Sequence, residues 1–157
     1  MKQINFENGI YFDEKGEIQK TKCYIIYGSP ASGKTTYVKK NMQSGDIVVD
    51  LDYIKQAISL EEKLETPDSL LPVALYLREC LYDLIEKRQV SSKNIWIVAG
   101  LPVKSEREKL RFRLGAELIF MNTTYEECIK RAMKDKERKD KKKAIEVIDK
   151  WFKIYEA

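Results

Sequence analysis

The sequence predicts a three-layer α/β sandwich built on a mainly parallel sheet, with a short β-hairpin added at its N-terminal end. Three observations predict it. Four short apolar runs, rich in β-branched and aromatic residues, alternate with amphipathic stretches, as strands do when helical crossovers join them. The first run, Cys23-Tyr24-Ile25-Ile26-Tyr27, leads directly into a loop bracketed by glycines and then into a helical stretch. The runs are continuously apolar instead of alternating, which suits strands covered on both faces.

Taken in order, residues 4–20 read as strands at Ile4-Asn5-Phe6 and Gly9-Ile10-Tyr11-Phe12, a turn at Asp13-Glu14-Lys15-Gly16, and a returning strand at Glu17-Ile18-Gln19. Gly16 suits the residue of positive φ that closes such a turn. The first core strand, loop and helix follow over 23–43, and Ser44-Gly45 ends that helix. Ile47-Val48-Val49 forms the second core strand and delivers Asp50-Leu51-Asp52 at its carboxyl end. A short helix is expected over 53–63. Thr66 then reads as an N-cap with Pro67 at the first helical position. Leu70, Ala74, Leu77, Leu81 and Leu84 recur at helical spacing to Lys87, a stripe expected to pack on the sheet. Asn94 to Ala99 is the third core strand, followed by Gly100-Leu101-Pro102. Ser105 is the expected cap of a helix closed by Gly115. Glu117 to Met121 is the fourth strand. A helix is expected from Thr124 through Met133, then a charged segment, then an amphipathic helix carrying Ile145, Ile148, Trp151, Phe152 and Tyr155.

The 157 residues suit a single domain. Residues 1–20 form its appendage and about 129–143 a lid. No run approaches a membrane span and no signal pattern opens the chain, so the expectation is a cytoplasmic protein with no membrane partner. Cys23, Cys80 and Cys128 are widely spaced and each sits among apolar neighbours. They read as small buried hydrophobes, not a disulfide frame or zinc site. The sequence has no histidine, which excludes histidine catalysis and histidine-bound metal. Net charge is +4, and the excess is local: Lys130 to Lys143 carries nine Lys/Arg against three Asp/Glu. Such a segment suits a polyanionic ligand, and equally a solvated helix face.

Gly28-Ser29-Pro30-Ala31-Ser32-Gly33-Lys34-Thr35 fits G-x-x-x-x-G-K-[ST], with Thr36 opening the helix behind it. This is the phosphate-binding loop of P-loop NTPases. Its glycines let the backbone approach a phosphate, and its N–H groups with the helix N-terminus supply positive charge. Lys34 is expected on the β/γ-phosphates and the Thr35 hydroxyl on Mg²⁺. The ligands expected are therefore ATP, or another nucleoside triphosphate, and Mg²⁺. In an open α/β sheet, ligands gather outside the carboxyl ends of the strands. The third strand ends there without a carboxylate, whereas the second supplies Asp50 and Asp52. An acid there can accept the proton of an acceptor hydroxyl facing the γ-phosphate. One of the pair is equally placed to cap the next helix. Asp52 is the expected base, and Asp50 the expected partner of Thr35 at the metal.

Asp52-Tyr53-Ile54-Lys55-Gln56-Ala57-Ile58 resembles the acid-x-x-arginine segment in the kinase domain of bacteriophage-type polynucleotide 5′-kinases, within a broader group of zeta-toxin-like and small-metabolite kinases. Glu126-Glu127-Cys128-Ile129-Lys130-Arg131 resembles the helix that carries a phosphate-facing arginine in their lid. The resemblance covers roughly 23–155. It implies Asp52 as general base and Arg131 beside the transferred phosphoryl group. Lys55 replaces the family's arginine, losing planar two-pronged phosphate contact. Ala99-Gly100-Leu101 replaces an acid-containing turn. Arg138, seven residues after Arg131, would share its face on a continuous helix.

Two function classes follow. The first is a phosphotransferase moving the γ-phosphate of ATP to a hydroxyl or phosphate acceptor, with a nucleotide or a nucleic-acid 5′-end as candidates. The second is a nucleotide-dependent switch module acting on a protein or DNA partner. Asp52 favours the first, while the absent third-strand acid and the N-terminal strands favour the second.

Overall fold

The computed structural model describes residues 10–157. The strand expected at Ile4–Phe6 lies outside them. Ile10–Phe12 (β1) pairs antiparallel with Ile18–Lys20 (β2). The turn between them closes through Gly16 N–H to the Asp13 carbonyl at 2.9 Å, with Gly16 at φ 77°. This hairpin is a separate two-stranded unit, as expected.

The central sheet contains β3 (Lys22–Tyr27), β4 (Ile47–Asp50), β5 (Asn94–Ala99) and β6 (Glu117–Phe120). All pairs are parallel and the order is β4-β5-β3-β6. Register aligns the carboxyl ends: Tyr27 lies opposite Ala99 and Phe120, and Asp50 opposite Val98. Asp46 fixes the other end. Its carboxylate accepts from the Trp96 indole at 2.9 Å and from the Asn94 backbone and side chain.

Helices flank the strands: α1 (Lys34–Asn41), α2 (Leu51–Ser59), α3 (Leu71–Glu86), α4 (Lys104–Leu114), α5 (Tyr125–Lys134) and α6 (Lys141–Ile154). Because side chains alternate across a strand, Ile26 and Trp96 pack with Val38 of α1 on one face. Ile25, Val49 and Ile97 pack with Tyr82, Ile85 and Leu114 on the other. Removing such fully buried apolar surface from water supplies about 25 cal/mol per Å². Helices α5 and α6 bury Cys128, Ala132, Ala144 and Ile148 between themselves.

Several local expectations are corrected. Thr66 does not cap a helix at Pro67. Pro67 is extended (ψ 148°), a 3₁₀ turn spans Asp68–Leu70, and α3 starts at Leu71 with Pro72 in its first turn. The buried stripe of α3 is Ala74, Tyr82 and Ile85, while Leu77 and Leu84 are exposed. The expected stripe holds in part: Ala74 is buried and Leu81 packs against the core, while Tyr82 and Ile85 take the buried places expected for Leu77 and Leu84. The helix after β4 starts at Leu51 and ends at Ser59, short of residue 63. Ser105 does not cap α4: Val103 holds the cap position, and the Lys104 N–H donates to Glu156 Oε2 at 2.9 Å. Cys128 is buried as expected, but Cys23 is half-buried and Cys80 is exposed on α3.

Candidate functional site

The phosphate-loop segment folds as its residue types require. Gly28 (φ 152°) and Gly33 (φ 97°) adopt backbone angles that glycine tolerates, and Ala31 at φ 61° joins them. A side chain at Gly28 would meet the Met121 carbonyl and Ser32 Oγ at 3.0 Å. One at Gly33 would come within 3.2 Å of Arg131 Nη1. Pro30, Ala31, Ser32, Gly33, Lys34, Thr35 and Thr36 line a cavity of about 1140 Å³. Gly28 and Ser29 lie behind it. Their carbonyls accept from Lys34 Nζ at 2.9 and 2.7 Å, so the ammonium is folded back over its own loop. Burial lowers the Lys34 pKa from 10.5 to about 8, against the favourable charge of Asp50 and with the opposing charge of Arg138. Ser32 Oγ is buried with no hydrogen-bond partner among the described residues, a donor free for an anion seated in the loop.

Asp50 ends β4 and is 6 % exposed. Its two oxygens make separate contacts. Oδ1 accepts from the Asp52 backbone N–H at 2.9 Å, capping α2, while Oδ2 faces the Thr35 hydroxyl at 3.4 Å. Burial, reinforced by the charge of Asp52, raises its pKa. A hydroxyl and a carboxylate oxygen are hard donors that suit Mg²⁺. Asp52 lies in the first turn of α2, lines the same cavity, and is paired with Lys55 Nζ at 3.4 Å. Lys55 thus compensates the carboxylate next to it.

Arg131 projects from the second turn of α5 onto the loop. Nη1 donates to the Ser32 carbonyl at 3.1 Å, and Nε to Glu127 Oε1 at 2.9 Å. Thr123, just after β6, also fastens the loop by donating to the Ser32 carbonyl at 2.9 Å. Arg138 is not on Arg131's helix. α5 stops at Lys134, capped by Asp135, and Arg138 occupies the connection to α6, ion-paired with Asp135 at 3.2 Å. Both arginines still line the cavity. The break follows from Lys141, whose ammonium reaches back to the Ala132 carbonyl at 3.0 Å and to that of Asp135. The charged segment is tethered as well as hydrated. Lys139 bonds Glu65 through its backbone N–H and Glu62 through its side chain, and Lys143 lies 3.2 Å from Asp68.

The cavity wall also contains Lys63, Thr66 and Arg78, none of which was expected at the site from the sequence. Gly100, at the acid-free end of β5, is held by the Trp151 indole, which donates to its carbonyl at 2.9 Å. Beneath it, Arg107 is buried and donates to the Leu101, Pro102 and Glu156 carbonyls. Among the described residues no group of three or more Cys, Asp or Glu side chains converges as a metal cage. None of the described helices is long and apolar enough to cross a membrane.

No curated protein matches the sequence. Among solved structures, the chain is similar to shikimate kinase from Acinetobacter baumannii in complex with shikimate. The TM-score is 0.56 at 15 % identity, over 85 % of this chain and 75 % of that one. That likeness shows the fold: a parallel sheet flanked by helices, in the manner of P-loop kinases. A family model described as an AAA domain matches residues 24–156. The chain therefore belongs to the AAA_33 family of AAA domains.

Proposed function

We propose that the protein is an ATP-dependent phosphotransferase that moves the γ-phosphate to a hydroxyl or phosphate acceptor, with a nucleotide or a nucleic-acid 5′-end as first candidates. The observation that carries this reading is the sharing of one cavity by the phosphate loop, the carboxylate of Asp52 and the guanidinium groups of Arg131 and Arg138. A triphosphate fits the loop, whose Ser32 hydroxyl lacks a partner, and Mg²⁺ fits the Thr35–Asp50 pair. When bound, Mg²⁺ neutralises charge on the β- and γ-phosphates.

The chain's own residues do the rest. Lys34 leaves the Gly28 and Ser29 carbonyls for the triphosphate. Asp52, at the mouth of the cavity, accepts the proton of the acceptor hydroxyl. The acceptor oxygen bonds to the γ-phosphorus as the bond to the β,γ-bridging oxygen breaks, releasing ADP. Arg131 and Arg138 stabilise the charge that gathers on the transferred group, an effect worth on the order of 10³–10⁵ in rate for arginine fingers. Lys55 pairs with the Asp52 carboxylate and holds it in place between turnovers.

The test is a transfer screen with γ-³²P-ATP over nucleosides, nucleotides, 5′-hydroxyl oligonucleotides and small hydroxy-metabolites. Label on an acceptor, lost in Lys34→Ala and Asp52→Asn, supports the reading. ATP consumption that yields only inorganic phosphate over the whole panel overturns it in favour of a hydrolysing switch.

A further inference from the structure

Arg78 occupies an unusual place. It lies one turn from Ala74 and one from Tyr82 on α3, on the stripe that carries the helix's buried residues. Such positions ordinarily take apolar side chains. Its guanidinium sits 5.6 Å from the Tyr82 ring centre. Among the described residues no carboxylate pairs with it, and its buried Nε has no hydrogen-bond partner. Thr66 repeats the pattern. It is 7 % exposed, and its buried Oγ1 has no partner. Both residues line the cavity that holds the phosphate loop.

A buried donor without an acceptor costs free energy, and a guanidinium costs more than a hydroxyl. The nearby acids do not relieve it. Glu62, Glu65 and Asp68 are engaged by Lys139 and Lys143 of the lid connection. Asp52 is engaged by Lys55. The remaining cation of this wall, Lys63, stacks over Tyr53 at 4.4 Å. The wall therefore presents donors for which the described residues supply no acceptor.

We propose that Arg78 and Thr66 form an anion subsite for the phosphoryl acceptor, so that the acceptor is a hydroxyl compound bearing its own phosphate or carboxylate. This rests on the phosphotransferase reading for the word acceptor, and on the geometry alone for the anion. A guanidinium offers a planar fork that matches either group, and the Thr66 hydroxyl adds a further donor. The phosphate loop takes the triphosphate, and the second anion is held by Arg78 and Thr66 in the same cavity. That arrangement selects acceptors by a charge remote from the reacting hydroxyl.

The experiment uses protein saturated with Mg·AMP-PNP, so that the phosphate loop is filled. The Arg78 Nε–H resonance, assigned by its loss in Arg78→Lys, is followed by NMR during titration with inorganic phosphate and, separately, acetate. A saturable shift with either anion is expected, weakened about tenfold or more in Arg78→Met and less in Thr66→Val, with AMP-PNP affinity unchanged. A response to phosphate alone indicates a phosphate-bearing acceptor, a response to acetate alone one carrying a carboxylate, and a response to both supports an anion subsite open to either. Adenosine against adenosine 3′-monophosphate, and glycerol against glycerol 3-phosphate, extend the comparison: the charged member of at least one pair is expected to bind more tightly, and Arg78→Met to erase that preference. No saturable response to either anion, or equal anion affinity in Arg78→Met, overturns the subsite. A protein that binds AMP-PNP and these anions but phosphorylates nothing overturns the phosphotransferase reading and leaves the subsite standing.

Discussion

Lys34 gives a prediction whose size follows from the site. In the free protein its ammonium is desolvated and satisfied only by two carbonyls, which brings its pKa down from 10.5 to about 8. A bound triphosphate places negative charge beside it and favours the charged form. The free protein is therefore about nine-tenths protonated at Lys34 at pH 7, half at pH 8 and about one-tenth at pH 9. Binding must then take up about 0.1 proton at pH 7, about 0.5 at pH 8 and about 0.9 at pH 9. Above pH 8 the affinity should fall by close to tenfold for each pH unit. The same shift bears on folding with a definite sign. Below pH 8 folded and unfolded chains both hold the proton and the desolvation cost is present in full. As pH rises from 8 towards 10.5 only the folded chain loses it, and the cost is relieved. Calorimetric titration with Mg·AMP-PNP in two buffers of different ionisation enthalpy counts the protons directly. Lys34→Met should bind weakly and without the extra uptake at pH 9. Equal uptake at pH 7 and pH 9 in the wild type would refute the argument, as would an uptake that survives in Lys34→Met.

Asp52→Asn should abolish phosphoryl transfer while sparing ATP binding, whereas Asp50→Asn should weaken the Mg²⁺ dependence of binding and loosen the start of α2. A dead Asp50→Asn beside a fully active Asp52→Asn in single-turnover assays would reverse the two roles. Arg131→Ala should lower kcat far more than it weakens ATP binding, and Arg131→Lys should recover little of it, because a point charge does not copy the planar fork. Wild-type turnover in Arg131→Ala would remove the lid from the mechanism. Lys139→Ala removes the ion pair that ties the connection between α5 and α6 to Glu62, while the backbone hydrogen bond to Glu65 stays. Hydrogen exchange across 135–143 should then speed up by no more than about fivefold, and salt should have the same effect on the wild type, since exposed ion pairs are weak and screened. Salt-insensitive exchange would show that the tether is held by other contacts.

The centre of the site was legible because its chemistry demands fixed residue types at fixed spacing. Gly28, Gly33, Lys34 and Thr35 admit few substitutes, and the second-strand acids stood out by their position at a strand end. The strands were legible for a similar reason: Ile25, Ile26, Val49 and Ile97 are runs that only a doubly covered sheet can bury. What escaped depends on phase and on distance along the chain. A helical stripe over Leu70 to Leu84 gives a period but does not decide which neighbouring positions meet the sheet, so Tyr82 and Ile85 were not singled out, and neither was Arg78. Ser105 looked like a cap because nothing local announced that Glu156 would reach Lys104. Arg131 and Arg138 looked like one helical face because no residue before Asp140 signals that Lys141 terminates α5 from beyond its end.

The long reach of Glu156 bears on how the chain is made. A ribosome releases β3, its loop and α1 early, and the sheet is complete once β6 has emerged. The floor under Gly100 is still open at that stage. Trp151 must arrive to hold the Gly100 carbonyl, and residues 155–156 must arrive to satisfy Arg107 and the first turn of α4. Until then a guanidinium destined for burial has only the Leu101 and Pro102 carbonyls. Synthesis and assembly are thus ordered: the phosphate loop emerges well before residues 151–156, which complete the support of Gly100 and of the first turn of α4.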